Sequence, residues 1–325
     1  MKPRHLAGAT SPPAGPYDAD IVILAFDRLA ETEAAIASAL AQTGVVRHLT
    51  VVDQGSAPEV VARLTEIVHG RRDATLVSLG ANGGVPAGRN AGSAFGHGRA
   101  IVALDNDAEF ATTTTVQSAV AAIDEDPGLA AVGFRIVEHA TGRDDLSSWG
   151  YPAALLPRTG DTFGAVTFVG AGHVIRRAAW EQAGGYDAAL FFCWEEYDFC
   201  LRAIQRGWQV RYRGDIVVRH KVSAERRVAW SGNRWFHFVR NRLLIERKWG
   251  ASWPRLAPRV VGYAIRGMRH GHVSATVRAV AAAAALGRAA GRQRLSDAAR
   301  HYVACNDRAH RGSLQRRFGS VQAGG

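Results

Sequence analysis

The chain has 325 residues, 47% of them hydrophobic, and a formal net charge of +11. That length and apolar content suit one large domain, or one with an appendage, around a substantial core. No stretch reaches 18 uncharged apolar residues, which argues against a transmembrane helix, and no apolar segment near the N-terminus reads as a signal peptide. Cys193, Cys200 and Cys305 are too few and odd in number for a disulfide framework, which points to a reducing, cytoplasmic setting. The charge is unevenly placed. Residues 1–250 hold 27 Lys+Arg and 27 Asp+Glu, whereas 251–325 hold 13 Arg against Asp297 and Asp307. A basic tail suits anionic lipid, an acidic partner or nucleic acid, but this one lacks the aromatic pattern of single-strand binders, so nucleic acid is disfavoured.

In chain order, residues 1–18 read as a flexible leader, with Ser-Pro-Pro-Ala-Gly-Pro at 11–16. A buried strand is expected at 21–26, followed by a helix at 31–42 with apolar spacing at Ala35, Ile36, Ala39 and Leu40. A strand at 49–52, a helix at 59–68, a strand at 74–79, a helix at 87–95 and a strand at 101–104 follow. Three successive βα units predict an α/β fold with a doubly wound, mostly parallel sheet. Beyond lie a helix through Ile123, a strand at 130–137, a polar loop at 138–161 and an apolar segment at 166–169. Helices at 178–183 and 195–206 follow, the first stopped by Gly184-Gly185, and strands at 208–212 and 216–218 close the domain.

Asp105-Asn106-Asp107 stands directly behind the strand at 101–104, where open α/β sheets place their ligand sites. Chance alone gives about one such spacing in a chain of this composition, and this one has three. The pairs at 18/20 and 124/126 read as turn or cap residues. Carboxylates at a buried strand end can hold Mg2+ or Mn2+ shared with substrate phosphates. An acidic cluster 90 residues later, Glu195-Glu196-Tyr197-Asp198, can supply a base.

These pieces, in their order and spacing, carry a resemblance. Residues 21–28 (Ile-Val-Ile-Leu-Ala-Phe-Asp-Arg), Val51-Val52-Asp53, Asn82-Gly83-Gly84 with Arg89, Asp105-Asn106-Asp107, Gly184-Gly185-Tyr186-Asp187, the run from Trp194 to Arg202 and His220 resemble the family 2 glycosyltransferases of GT-A fold. The resemblance spans roughly residues 20–250. It implies an inverting transfer of a hexosyl or deoxyhexosyl unit from a nucleoside-diphosphate sugar to a hydroxyl of a glycan, glycolipid or small metabolite, aided by Mn2+ or Mg2+. Donor-binding residues would be Phe26, Arg28, Asp53, Asn82, Gly84, Arg89, Asp105 and Asn106. Asp53 either meets the nucleobase or closes a turn, and Arg89 either faces the diphosphate or lies on a helix surface. Asp107, Asp105 and His220 would form the metal site, although a lone histidine at a strand end can equally be structural. Glu196 occupies the position of the family's basic aspartate, with Glu195 as the alternative base and Asp198 as a brace on Arg202. Trp194, Trp149 and Arg202 would contact acceptor or sugar, the tryptophans otherwise being core anchors.

The domain is expected at 19–250, a basic Ala/Arg-rich helical appendage at 251–311, and a disordered tail at 312–325. From Pro258 an amphipathic helix is expected, with Val260, Val261, Ala264, Ile265 and Met268 on one side and Arg255, Arg259, Arg266 and Arg269 on the other. Its apolar side either packs on the catalytic domain or lies on an anionic inner leaflet. Two rival functions remain. A sugar nucleotidyltransferase lacks support, because Asp27-Arg28 stands where a Gly-rich phosphate loop would follow the first strand. A GT-A domain that binds nucleotide sugar without turnover is motivated by glutamate at the aspartate position.

Overall fold

A computed structural model describes residues 3–221, 231–289 and 293–311. Ten strands form one sheet: β1 (Arg4–Gly8), β2 (Ala19–Ala25), β3 (Arg47–Asp53), β4 (Ala74–Ser78), β5 (Ala100–Leu104), β6 (Ala108–Phe110), β7 (Leu129–Glu138), β8 (Thr162–Ala165), β9 (Gly172–Arg176) and β10 (Gln209–His220). Their order is β1-β4-β3-β2-β5-β9-β7-β10-β6, with β8 pairing on β10. Strands β4, β3, β2 and β5 run parallel, as do β7 and β10, and the antiparallel β9 joins the two blocks.

Every residue of β2 is buried, as expected for a central parallel strand covered on both faces. Its alternate side chains therefore enter two different cores. Ile21 and Ile23 face one, with Leu49, Leu76 and Val102, under α1 (Leu29–Leu40), α2 (Pro58–Val68) and α4 (Thr115–Asp124). Val22 and Leu24 face the other, with Trp180, Phe199 and Tyr212, under α3 (Gly84–Phe95), α5 (Arg177–Ala183) and α6 (Glu195–Gln205). The helices on both sides leave the C-terminal ends of β2, β3 and β5 open, and ligands of such sheets lie there.

A third core belongs to α7 (Gly232–Lys248), α8 (Trp253–Arg269) and α9 (Val273–Ala289), around Trp235, Val239, Leu243, Leu256, Tyr263 and Ala279. Finally α10 (Asp297–Asn306) returns to the second core through Ala299 and Val303. No helix among the described residues is long and apolar enough to cross a membrane.

Several expectations are corrected. The leader is not wholly flexible: β1 pairs antiparallel with β4 and buries Ala7, giving the sheet an extra edge strand. The apolar segment at 166–169 lies between β8 and β9, neither of which the sequence predicts separately. The strands at 208–212 and 216–218 are one, interrupted by an irregularity between Arg213 and Val217. The appendage begins with α7 rather than at residue 251, since α7 shares its core with α8 and α9. Within the expected helical appendage, α9 ends at Ala289 and α10 starts afresh with Ser296 as N-cap. Helix α8 starts at Trp253, five residues before Pro258, and turns Leu256, Arg259, Tyr263 and Gly267 inward while Val261, Ile265 and Met268 are exposed. The tail at 312–325 lies outside the described residues.

Candidate active site

At the end of β2, Asp27 and Arg28 both adopt left-handed backbone, with φ of 52° and 50°. That turn aims the Arg28 guanidinium at the Asp107 carboxylate, just beyond β5, and the two pair directly. On the other side of Asp107 stands His220, the last residue of β10, with Nε2 3.3 Å from Oδ1. The two strand ends, 113 positions apart in the chain, meet because β6 pairs with β10, Ala108 opposite His220.

His220 is in turn held by a residue that sequence reasoning did not single out. Its Nδ1 lies 2.9 Å from Oδ2 of Asp145, a buried carboxylate in the polar stretch after β7. The Asp145 carboxylate also accepts from Ser147 N, Ser147 Oγ and Ser148 Oγ. Burial opposes charge here, but the hydrogen bonds from His220, Ser147 and Ser148 hold the Asp145 carboxyl well below the usual range. For His220, burial likewise opposes the charged form, yet hydrogen bonds to Asp107 and Asp145 prevail and lift its pKa to about 9. Asp107 is lowered against its own burial by His220 and Arg28.

Would these residues suit a divalent cation? Asp145 engages Nδ1, which leaves Nε2 directed toward Asp107, and a hard oxygen beside one imidazole fits Mn2+ or Mg2+. Among the described residues no set of three His, Cys, Asp or Glu groups converges to hold an ion by itself. The donor set therefore fits a cation whose remaining positions come from a diphosphate and water, as is usual for such ions.

Arg89 behaves differently from the expectation. It is buried within α3 and donates to the carbonyls of Val22 and Leu104 and, at 2.8 Å, to Asp105 Oδ1. It braces the strand ends and Asp105, and it does not lie on a helix surface. Asn106 is also turned away, donating to Thr32 Oγ1 at 3.1 Å. Asp53 accepts from Gly55 N, Ser56 N and, at 2.6 Å, Ser78 Oγ, the turn-closing arrangement. Phe26 stands exposed at the end of β2. Asn82 Oδ1 accepts from Gly84 N at 2.9 Å, shaping the turn into α3.

Gly84 marks a close approach of backbone to backbone. Its φ is +85°, and a Cβ there would lie 2.1 Å from the Phe191 carbonyl oxygen. That carbonyl accepts from Val85 N at 2.8 Å. Phe191 opens a strained strap in which Phe191, Cys193 and Trp194 all have positive φ, at 63°, 69° and 72°. Asn241 of α7 holds it, its Nδ2 donating to the carbonyls of Leu190, Phe192 and Cys193 at 2.8–2.9 Å. Straight after the strap, α6 begins with Glu195 and Glu196.

The two glutamates differ. Glu195 is buried, with Oε2 lacking a hydrogen-bond partner, and burial followed by repulsion from Glu196 pushes its carboxyl well above the usual range. Glu196 is half-buried and rests against Gly170, where a Cβ would lie 2.5 Å from Glu196 Oε1. The adjoining Ala171 carbonyl accepts from Asp105 N at 3.2 Å, so one short connection touches both Glu196 and Asp105. Burial, reinforced by Asp105, raises the Glu196 carboxyl to about 7.

Asp198 and the three acceptor candidates all have partners within the protein. Asp198 pairs with Arg202 at 2.8 Å and Lys248 at 3.1 Å. Arg202 also donates to the Ala183 and Gly185 carbonyls. Trp149 packs against Tyr151, Phe163 and Tyr212. Trp194 donates its indole N–H to Phe238 O at 2.9 Å, and the Arg242 guanidinium lies over its ring at 4.8 Å.

The sheet thus carries acidic groups at its β5 end, with the glutamate pair of α6 near them. The chain belongs to glycosyl transferase family 2, whose profile matches residues 20–184. A second profile, glycosyl transferase family group 2, matches residues 154–285. No curated protein matches the sequence. Among solved structures, it is similar to the mannosyltransferase PcManGT from Pyrobaculum calidifontis in complex with GDP-Man and Mn2+, at 18% identity and a TM-score of 0.58, covering 97% of this chain and 87% of that one. It is similar to GalNAc-T7 with UDP, GalNAc and Mn2+, at 15% identity and 0.60, over 75% of this chain and 50% of that one. S. aureus TarS 1-349 in complex with UDP-GlcNAc follows at 13% identity and 0.54, over 72% and 68% of the two chains. At such identities the likeness establishes the GT-A fold.

Proposed function

We propose that the protein is an inverting glycosyltransferase that moves a sugar from a nucleoside-diphosphate donor to an acceptor hydroxyl, with Mn2+ or Mg2+ at Asp107 and His220. The observation that carries this reading is the position of Glu196 against Gly170, whose neighbour Ala171 binds Asp105 N, with burial and Asp105 raising the Glu196 carboxyl to about 7. A base poised near neutrality opposite an anion-handling site is what displacement at an anomeric carbon needs. The nucleotides and Mn2+ of the similar structures support it.

Glu196 would take the proton of the acceptor hydroxyl as its oxygen bonds to the anomeric carbon. The carbon–oxygen bond to the diphosphate breaks with its electron pair, and attack from the opposite side inverts the configuration. A bound cation would supply Lewis-acid stabilisation of the departing diphosphate. Arg28, which lies against Asp107, would add its positive charge to the same region. The backbone at Asn82–Gly84 would pass close to the donor, and Asp53 would reach the nucleobase through a lone pair left by its turn. Acceptors in keeping with this reading are glycan, glycolipid or small-metabolite hydroxyls.

The test is incubation with a panel of nucleotide sugars, Mn2+ and candidate acceptors, following release of nucleoside diphosphate and the anomeric configuration of the product. Inverted product supports the reading. Pyrophosphate release from a nucleoside triphosphate would point to a nucleotidyltransferase, retained configuration would exclude the inverting step, and tight donor binding with no turnover across the panel would leave a binding domain.

A further inference from the structure

Nine large apolar side chains are exposed among the described residues, and six of them lie on α8 and α9: Val261, Ile265, Met268, Val273, Val277 and Leu286. On α8 three recur at i, i+4 and i+7, which aligns them along one outward stripe. The inward stripe is already filled, because Leu256 and Tyr263 enter the core beside α7, and a Cβ at Gly267 would lie 2.3 Å from Thr276 Oγ1 of α9. Met268 and Val273 lie at either end of the short turn between the two helices. Leu286 points to the other side of α9, nine residues from Val277, but the exposed stripe of α8 with Val273 and Val277 at the start of α9 marks an interaction surface.

The charge around this stripe selects the partner. Between Trp253 and Ala289 there is no aspartate or glutamate, and Arg255, Arg269 and Arg278 are exposed on the same two helices. Apolar side chains flanked by arginines, without acidic neighbours, match the interface of an anionic bilayer, where the apolar stripe enters the acyl boundary and guanidinium groups meet the headgroups. A second copy of this chain fits worse, since an isologous contact would set the arginine-flanked face against itself. Nucleic acid would leave the stripe without a partner. We propose that the α8–α9 hairpin docks the protein peripherally on anionic lipid. Because α7, to which the hairpin is packed, also holds the strap before Glu196, docking would set the catalytic cleft at a defined position relative to the lipid surface.

The test is flotation of the full-length protein with vesicles of phosphatidylcholine alone and of phosphatidylcholine mixed with phosphatidylglycerol, with no donor or acceptor present, so that its outcome is independent of transferase activity. Binding is expected to the mixed vesicles only and to weaken with salt. The double variant Ile265→Asp with Met268→Asp should lower the bound fraction roughly tenfold, and Arg255→Glu with Arg269→Glu should lower it as well. Should the aspartate pair unfold the protein, as read by circular dichroism, Ile265→Ser with Met268→Ser keeps the test intact. The proposal is overturned by a wild-type protein that stays in the aqueous fraction, by variants that float like the wild type, by a dimer that Ile265→Asp with Met268→Asp splits, or by RNA binding indifferent to those changes.

Discussion

His220 Nδ1 lies 2.9 Å from Asp145 Oδ2 while its Nε2 lies 3.3 Å from Asp107 Oδ1, so one imidazole bridges two carboxylates with different surroundings. Asp145 is sealed in by Ser147 and Ser148, whereas Asp107 borders the cleft. Asp145 is therefore the orienting partner and Asp107 the one that meets a ligand. Replacing Asp145 by Asn should weaken Mn2+ binding about 10- to 100-fold, the usual cost of losing the carboxylate behind a ligating histidine. Titration calorimetry of Mn2+ with nucleoside diphosphate present reads this directly. Unchanged affinity would reduce Asp145 to a loop anchor.

Metal binding should also move protons. With its pKa lifted to about 9, His220 is protonated at neutral pH in the metal-free protein and must lose that proton to ligate. Mn2+ binding at neutral pH should release about one proton, and affinity should climb with pH until about 9. Calorimetry in buffers of differing ionisation enthalpy measures the release. His220→Ala should abolish it.

For Glu196, the base must be ionised, so kcat/KM should increase as pH rises through about 7. Glu196→Gln should preserve donor affinity, lower turnover by about 10²-fold or more and erase that acid limb. Glu195→Gln, at a buried carboxyl held protonated by its surroundings, should retain the limb. If the acid limb instead follows Glu195, the two roles are exchanged.

Gly84→Ala should destabilise the protein by about 2 kcal/mol or more, because a left-handed φ is combined with a Cβ 2.1 Å from the Phe191 oxygen. A thermal unfolding scan shows the loss. Gly142→Ala is the comparison: its φ is +67° but nothing lies within 4 Å of a Cβ, so a smaller loss there isolates the collision from the backbone strain.

The first half of the fold was legible because its strands are continuous apolar runs and its helices are regularly spaced, as in Ile21, Ile23, Ala35 and Ile36. The DxD at 105–107 was legible from its place behind such a run. Less so was β9, whose Gly172 and His173 interrupt the apolar pattern, or β1, a short edge strand whose burial depends on β4. Asp145 did carry a local signal, an aspartate before Ser147 and Ser148 of the kind that closes turns, but its pairing with a histidine 75 positions away exists only in three dimensions. The partners of Arg89 were hidden for a related reason: its bonds to the Val22 and Leu104 carbonyls join positions that only the fold brings together. In α8 the expected division into an apolar and a basic side did not hold: Arg259 turns inward with Leu256 and Tyr263, and Tyr263 and Gly267 outcompeted Val261 and Ile265 for the interior, one by ring area and the other by permitting close helix approach.

Asn241 gives the strap before Glu196 a consequence for protein engineering. One side-chain amide from the helical appendage fixes three carbonyls of a backbone that three positive-φ residues leave under tension. The appendage is thus no exchangeable module: a chimera that grafted another protein's terminal helices onto this sheet would keep every nucleotide-side group and still lose the pitch at which α6 presents its first turn. Sequence similarity scored over the N-terminal half alone would overestimate which hybrids can work, and Asn241 is the position a successful graft has to carry across.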